Sequence, residues 1–77
     1  MRPLNPIPRF NGARIARSRK AHGMTQEELA KAVDMTRYQI IRIERGESGS
    51  LDSLSAICTK LDLSMTEVFA PDAPQIA

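Results

Sequence analysis

Residues 25–46 read TQEELAKAVDMTRYQIIRIERG, and this stretch decides the fold. Thr25 followed three residues later by Glu28 is a capping box, in which each side chain satisfies a backbone N–H that a helix start leaves without a partner. Beyond it Leu29, Ala30 and Val33 form one apolar stripe, while Gln26, Glu27 and Lys31 are left for water, which predicts an amphipathic helix about ten residues long. Thr36 with Gln39 is a second capping box, so a new helix starts only a few residues after Val33. Asp34 and Met35 must make the turn between them. So abrupt a reversal calls for a residue at positive φ, and Asp is among the few non-glycine residues that tolerate it, which assigns Asp34 to the turn.

On the second of these helices, at about 100° per residue, Thr36, Ile40 and Ile43 fall on one side, facing the first helix. The opposite side collects Arg37, Tyr38, Ile41, Arg42 and Arg45. Solvated faces mix signs and avoid large apolar groups, so a face that combines arginines with a tyrosine and an isoleucine is one that meets something.

Capped helix, short turn, capped helix, with Ile43-Glu44-Arg45-Gly46 closing the second, resembles the lambda-repressor-like, or XRE-type, helix-turn-helix family. The likeness extends from about Ile15 to Phe69, and Gly23-Met24-Thr25-Gln26-Glu27-Glu28-Leu29-Ala30 is its other specific part. The resemblance implies an all-α, compact five-helix domain whose second and third helices form the helix-turn-helix, with double-stranded DNA as partner. In this motif the N-terminal end of the reading helix enters the major groove. Reading there needs donors in fixed geometry, such as Arg bidentate to guanine, and apolar groups against the thymine methyl. Arg37, Tyr38, Ile41 and Arg42 supply that set, with Arg42 one turn beyond the first two.

The same resemblance implies a phosphate site at the start of the earlier helix, made by backbone N–H groups with Gln26, where Thr25 is mainly a cap. Arg45, Ser48 and Ser50 flank the far end of the reading helix and are candidates for phosphate on the other side of the groove, although Ser48 and Ser50 serve equally as loop and cap. Arg19 stands where the family places a basic residue that pairs with the acid of the Glu-Arg-Gly ending, here Glu44, and both are read as structural. The last helix commonly supplies the family's homodimer contact. Met65, Val68 and Phe69 exceed what five helices need inside and are assigned to it, with plain core packing as the alternative for Val68 and Phe69.

Around this centre the chain divides into an arm at 1–10, a domain at 11–70 and a tail at 71–77. The arm, MRPLNPIPRF, is too rich in proline for regular helix, and its Arg2 and Arg9 are candidates for phosphate or minor-groove contact. Asn11 is placed to cap a helix reaching Ala21 or His22, with Gly23 ending it and Ile15 anchoring its inner face. Family members often carry a large aliphatic residue where this chain has Ser18. Ser50 caps a fourth helix on which Leu51, Leu54, Ile57, Cys58 and Leu61 line one core face, and Ser64 with Glu67 opens a short fifth.

Seventy-seven residues make one small domain, and with aromatics at 4% its core must be aliphatic. A single cysteine excludes an internal disulfide and fits a reducing cytoplasm. No apolar run long enough for a membrane span or a signal peptide is present, so a cytoplasmic location is expected. Charge is lopsided: residues 1–24 carry six bases and no acid, and residues 47–77 one base and five acids. One end of the molecule therefore favours a polyanion.

Nothing in the sequence points to an enzyme, a cofactor or a metal. Glu27 and Glu28 are adjacent on a helix and diverge by about 100°, so they do not form a catalytic carboxylate pair. His22 has no nucleophile or acid placed beside it by a recognisable motif, and it suits the last turn of the first helix. The expected function is a homodimeric, sequence-specific transcriptional regulator on a near-palindromic operator. A second reading is the antitoxin of a toxin–antitoxin pair, autoregulating through the same helices with a toxin as protein partner. A third is a protein-interaction module of this fold that has lost DNA binding.

Overall fold

The computed structural model describes residues 9–69. Within them run five helices and no strand: α1 (Gly12–Ala21), α2 (Gln26–Ala32), α3 (Arg37–Glu44), α4 (Leu51–Leu61) and α5 (Met65–Phe69). Arg2 and the tail 71–77 lie outside the described residues.

Every helix start is closed by a side chain of the type that the sequence places there. Asn11 Oδ1 accepts from Arg14 N at 3.1 Å, and Ser50 Oγ accepts from Ser53 N at 3.1 Å. The two boxes in the quoted stretch are reciprocal: Glu28 N donates to Thr25 Oγ1 and Thr25 N to Glu28 Oε1 (3.0 and 2.8 Å), and Gln39 N donates to Thr36 Oγ1 and Thr36 N to Gln39 Oε1 (3.1 and 2.9 Å). Ser64 and Glu67 repeat the pattern at α5 with longer bonds, 3.2 and 3.4 Å. Each cap contributes about 1 kcal/mol.

The ends of α1 to α4 also share one design, in which a residue at positive φ turns the chain and the next N–H reaches back to a carbonyl of the last turn. Gly23, Asp34, Gly46 and Asp62 take the positive φ, at 71°, 59°, 74° and 55°. Met24, Met35, Glu47 and Leu63 make the reach, to Arg19 O, Ala30 O, Arg42 O and Cys58 O at 2.8–3.2 Å. Three of these reaching residues, Met24, Met35 and Leu63, tuck an apolar side chain against the core, as the motif favours; Glu47 is the exception. The turn at Asp34 begins earlier than the apolar stripe implies. Val33 already leaves the helix, so α2 has seven residues rather than ten.

The core is aliphatic and is drawn from all five helices: Ile15 of α1, Leu29 of α2, Ile40 and Ile43 of α3, Leu54, Ile57 and Leu61 of α4, and Val68 of α5. Four expectations are corrected. Val68 has no exposed surface and its carbonyl accepts from Asn11 N at 2.8 Å, so its side chain belongs to the protomer's own core and not to a dimer contact. Leu51 sits at the first turn of α4 and is 49% exposed rather than core. Thr36 is an exposed cap and does not face α2. Phe10, the last residue of the expected arm, packs against the core.

Gly12 fixes how close α1 and α3 come. A Cβ at Gly12 would overlap the backbone carbonyl oxygens of Ile43 and Glu44, so only glycine allows the start of α1 to lie against the end of α3. Gly12→Ala is expected to destabilise the domain by about 3 kcal/mol, the upper range for overpacking, because the atoms it meets are backbone. Urea unfolding measures this, and a wild-type midpoint would mean that the two helices slide apart at no cost.

Candidate nucleic-acid interface

The scaffold of the site is a polar network inside the junction of α1, α2 and α3. Arg19 Nε donates to Glu44 Oε2 at 2.6 Å and Arg19 Nη2 to Glu44 Oε1 at 3.2 Å, a bidentate pair whose side chains are 9% and 7% exposed. Arg19 Nη1 donates to Met24 O at 2.8 Å, and Gln26 Nε2 donates to Glu44 Oε1 at 3.1 Å. The carboxylate is thus shared by the end of α1 and the start of α2, while it hangs from the last turn of α3. Gln26, expected at a phosphate, is held by Glu44 in the free protein, and its amide oxygen carries no bond of this network.

With Ile40 and Ile43 turned inward, α3 presents Arg37 and Tyr38 at its exposed N-terminal end, Tyr38 being 64% exposed. Arg42 lies one turn on. Its guanidinium carbon stands 5.7 Å from the centre of the Tyr38 ring, and its Nη1 donates to the Tyr38 hydroxyl at 3.3 Å. On its other flank Arg42 Nε is 3.6 Å from Glu47 Oε1, an ion-pair distance without a hydrogen bond, and Arg45 Nη1 is 3.8 Å from Glu47 Oε2. Tyr38, Arg42, Glu47 and Arg45 therefore form one continuous line of contacts along the face. Ile41 is half-buried and takes part in the floor of a groove rather than standing free.

That groove, of about 540 Å³, runs between α1 and α3. Ala13, Ala16 and Ile41 give it a small and apolar lining, Gln26 and Glu44 line it as well, and Arg17, Lys20 and Arg45 supply the cations. No ion pair engages Arg17 or Lys20 among the described residues. Of the expected phosphate residues, the groove brings Gln26 and Arg45 together. Thr25 is occupied as the α2 cap, and Ser48 lies apart, exposed in the segment between α3 and α4. Arg17, Lys20 and Glu47 were missed from sequence; Arg17 and Lys20, three apart on a helix, share a face, and that spacing is a signal the sequence itself carries. Met65 and Phe69 are half-buried, packed beside the core with part of each side chain outside.

The remaining chemistry is silent. Cys58 is buried, and burial, with Glu67 nearby, raises its pKa, so the thiol stays protonated at neutral pH. His22 caps α1 and its Nδ1–H donates to Ser18 O at 2.8 Å. Among the described residues no cluster of acidic, His and Cys side chains is arranged to hold a metal, and no helix is long and apolar enough to cross a membrane.

Glu44→Ala would leave the Arg19 guanidinium buried without its anion, a loss of about 3 kcal/mol. Thermal unfolding is expected to show it as a lowered midpoint, with the helical content of the native state retained. An unchanged midpoint with altered base preference would transfer Glu44 from the scaffold to the reading surface.

A family model described as helix-turn-helix matches residues 15–68. Over 62 residues the chain is 34% identical to the antitoxin PezA of Streptococcus pneumoniae serotype 4; the match takes in 79% of this chain and 39% of PezA, so the chain spans about two fifths of that relative. The restriction-modification controller protein C.AhdI from Aeromonas hydrophila aligns in structure with a TM-score of 0.68 at 34% identity, over 75% of this chain and 89% of its own. SinR, the master regulator for biofilm formation, solved in complex with DNA, aligns with a TM-score of 0.63 at 31% identity, over 69% of this chain and 87% of its own. The chain belongs to the lambda-repressor-like, XRE-type helix-turn-helix family of DNA-binding transcription regulators.

Proposed function

We propose that the protein is a sequence-specific transcriptional regulator that binds double-stranded DNA in the cytoplasm as a homodimer, on a near-palindromic operator. The observation that carries this reading is the outer face of α3, where Arg37, Tyr38 and Arg42 stand exposed or half-exposed opposite the buried Ile40 and Ile43. Arg37 and Tyr38 lie at the end of the helix that meets base edges, and Arg42 follows them along the groove. Gln26 and Arg45, with the basic groove between α1 and α3, hold the phosphate backbone beside it.

The dimer follows from size. One reading helix contacts only about four to six base pairs, too few for a unique address, and a second copy doubles the site. Met65 and Phe69 on α5 are the apolar groups left for that contact once Val68 is assigned to the core.

A second reading, an antitoxin that autoregulates through the same helices and binds a toxin, has the similarity to PezA in its favour. Co-expression with the product of a neighbouring gene separates the two: a stable complex between them favours the antitoxin.

Arg37→Ala and Arg42→Ala are each expected to weaken operator binding by about 1–3 kcal/mol and to relax preference at particular base pairs, with the fold intact. Selection from random duplexes followed by competition binding reads both effects. If the variants bound operator and random duplex in the wild-type ratio, these arginines would be phosphate contacts and not readers.

Footprinting and sedimentation on the selected duplex are expected to show two protomers on half-sites about one helical turn, roughly 34 Å, apart. A stable one-to-one complex protecting a single half-site would remove the dimer and the use assigned to α5.

A further inference from the structure

Glu47 breaks a local rule that its three counterparts keep. At the ends of α1, α2 and α4 the residue after the positive-φ position is Met24, Met35 or Leu63, each packed on the core, and at the end of α3 it is an acid. An apolar side chain there would add a contact with the last turn, so the acid gives up stability. The backbone geometry is otherwise the same, with Glu47 N donating to Arg42 O at 2.9 Å. That bond anchors Glu47 beside Arg42 whatever its rotamer.

Its carboxylate stands between two cations of the DNA-facing surface, 3.6 Å from Arg42 Nε and 3.8 Å from Arg45 Nη1. Arg42 is held from the other flank by the Tyr38 ring and hydroxyl. The Arg42 and Glu47 side chains are 40% and 47% exposed and that of Arg45 68%, so the pairs stabilise the fold little. Their consequence lies in binding. An anion at the edge of this face repels any phosphate that approaches Arg42 or Arg45, and it competes with phosphate for both guanidiniums.

We propose that Glu47 is a specificity-determining residue: it keeps Arg42 from settling on the phosphate backbone of arbitrary DNA, and it leaves Arg42, propped by Tyr38, directed at base edges. Contacts to phosphate carry affinity without sequence information, and contacts to bases carry the discrimination. A fixed negative charge at this position lowers the first more than the second. The ratio of specific to non-specific affinity rises as a result. This inference rests on the DNA-binding reading above.

The test compares wild type with Glu47→Gln, Glu47→Asp and Glu47→Leu by fluorescence anisotropy, on the selected operator and on a random duplex, across a series of salt concentrations. Glu47→Gln is expected to raise affinity for random duplex on the order of tenfold at low salt, to raise operator affinity by a much smaller factor, and to steepen the salt dependence on random duplex. Glu47→Asp, which keeps the charge, is expected to retain most of the wild-type ratio. Glu47→Leu is expected to melt at a higher temperature than wild type while it loses discrimination as Glu47→Gln does, an outcome that a structural role for Glu47 would not give. Equal changes on both duplexes, or none, in Glu47→Gln would overturn the assignment of Glu47 alone. A wild-type protein with no preference for any duplex would overturn the reading of the whole face, and the role of Glu47 with it.

Discussion

The Arg19–Glu44 pair is the joint on which the geometry of the helix-turn-helix depends. Its atoms lie in a small interior where neither charge is solvated, so each ion is tolerable only because the other is present. Arg19 also takes the carbonyl of Met24, the residue that leads into α2, and Glu44 also takes the amide of Gln26 in the first turn of α2. One carboxylate and one guanidinium thus tie the end of α1, the start of α2 and the end of α3. Packing of aliphatic side chains is nearly direction-free, whereas a bidentate pair has a single favourable arrangement. In a domain with so small a core, that pair sets the angle at which α3 is presented.

Much of this is legible in the amino-acid sequence. Helix starts are readable because a cap is a local device: Thr25 with Glu28, and Thr36 with Gln39, lie three residues apart and need nothing distant to form. The turn at Asp34 is readable for the same reason. The Arg19–Glu44 pairing joins residues 25 apart, and no local rule predicts it; only the resemblance to a known family brings those two together. The exposure of Arg37, Tyr38 and Arg42 is legible too, since helical periodicity alone separates them from Ile40 and Ile43, whereas Ile41, expected on the same face, is half-buried.

The features that sequence does not reveal depend on how far neighbouring elements reach. Leu51 has the right periodicity for the core face of α4, yet it lies on the first turn and keeps about half of its surface exposed. Val68 is open to two readings because a lone apolar residue on a short helix looks the same whether it faces its own core or a second copy. Gly12 carries no side chain and so gives no pattern, and its importance appears only when the carbonyls of Ile43 and Glu44 are seen against it. Glu47 reads as loop because charge in a loop is ordinary; its oddity emerges when four helix ends are compared and three are apolar.

The stacking of Arg42 on Tyr38 has a consequence for how an operator would be spelled. A free arginine samples many rotamers and loses that freedom on binding, whereas here the ring and its hydroxyl have already narrowed the choice in the unbound protein. The two side chains then act as one unit, because a change in the ring alters where the guanidinium points. In the proposed reading, the base pairs met by Tyr38 and by Arg42 cease to be independent letters. A base change under one shifts the value of the base under the other, so the code of this helix is written in pairs and a table of single-position preferences would describe it incompletely.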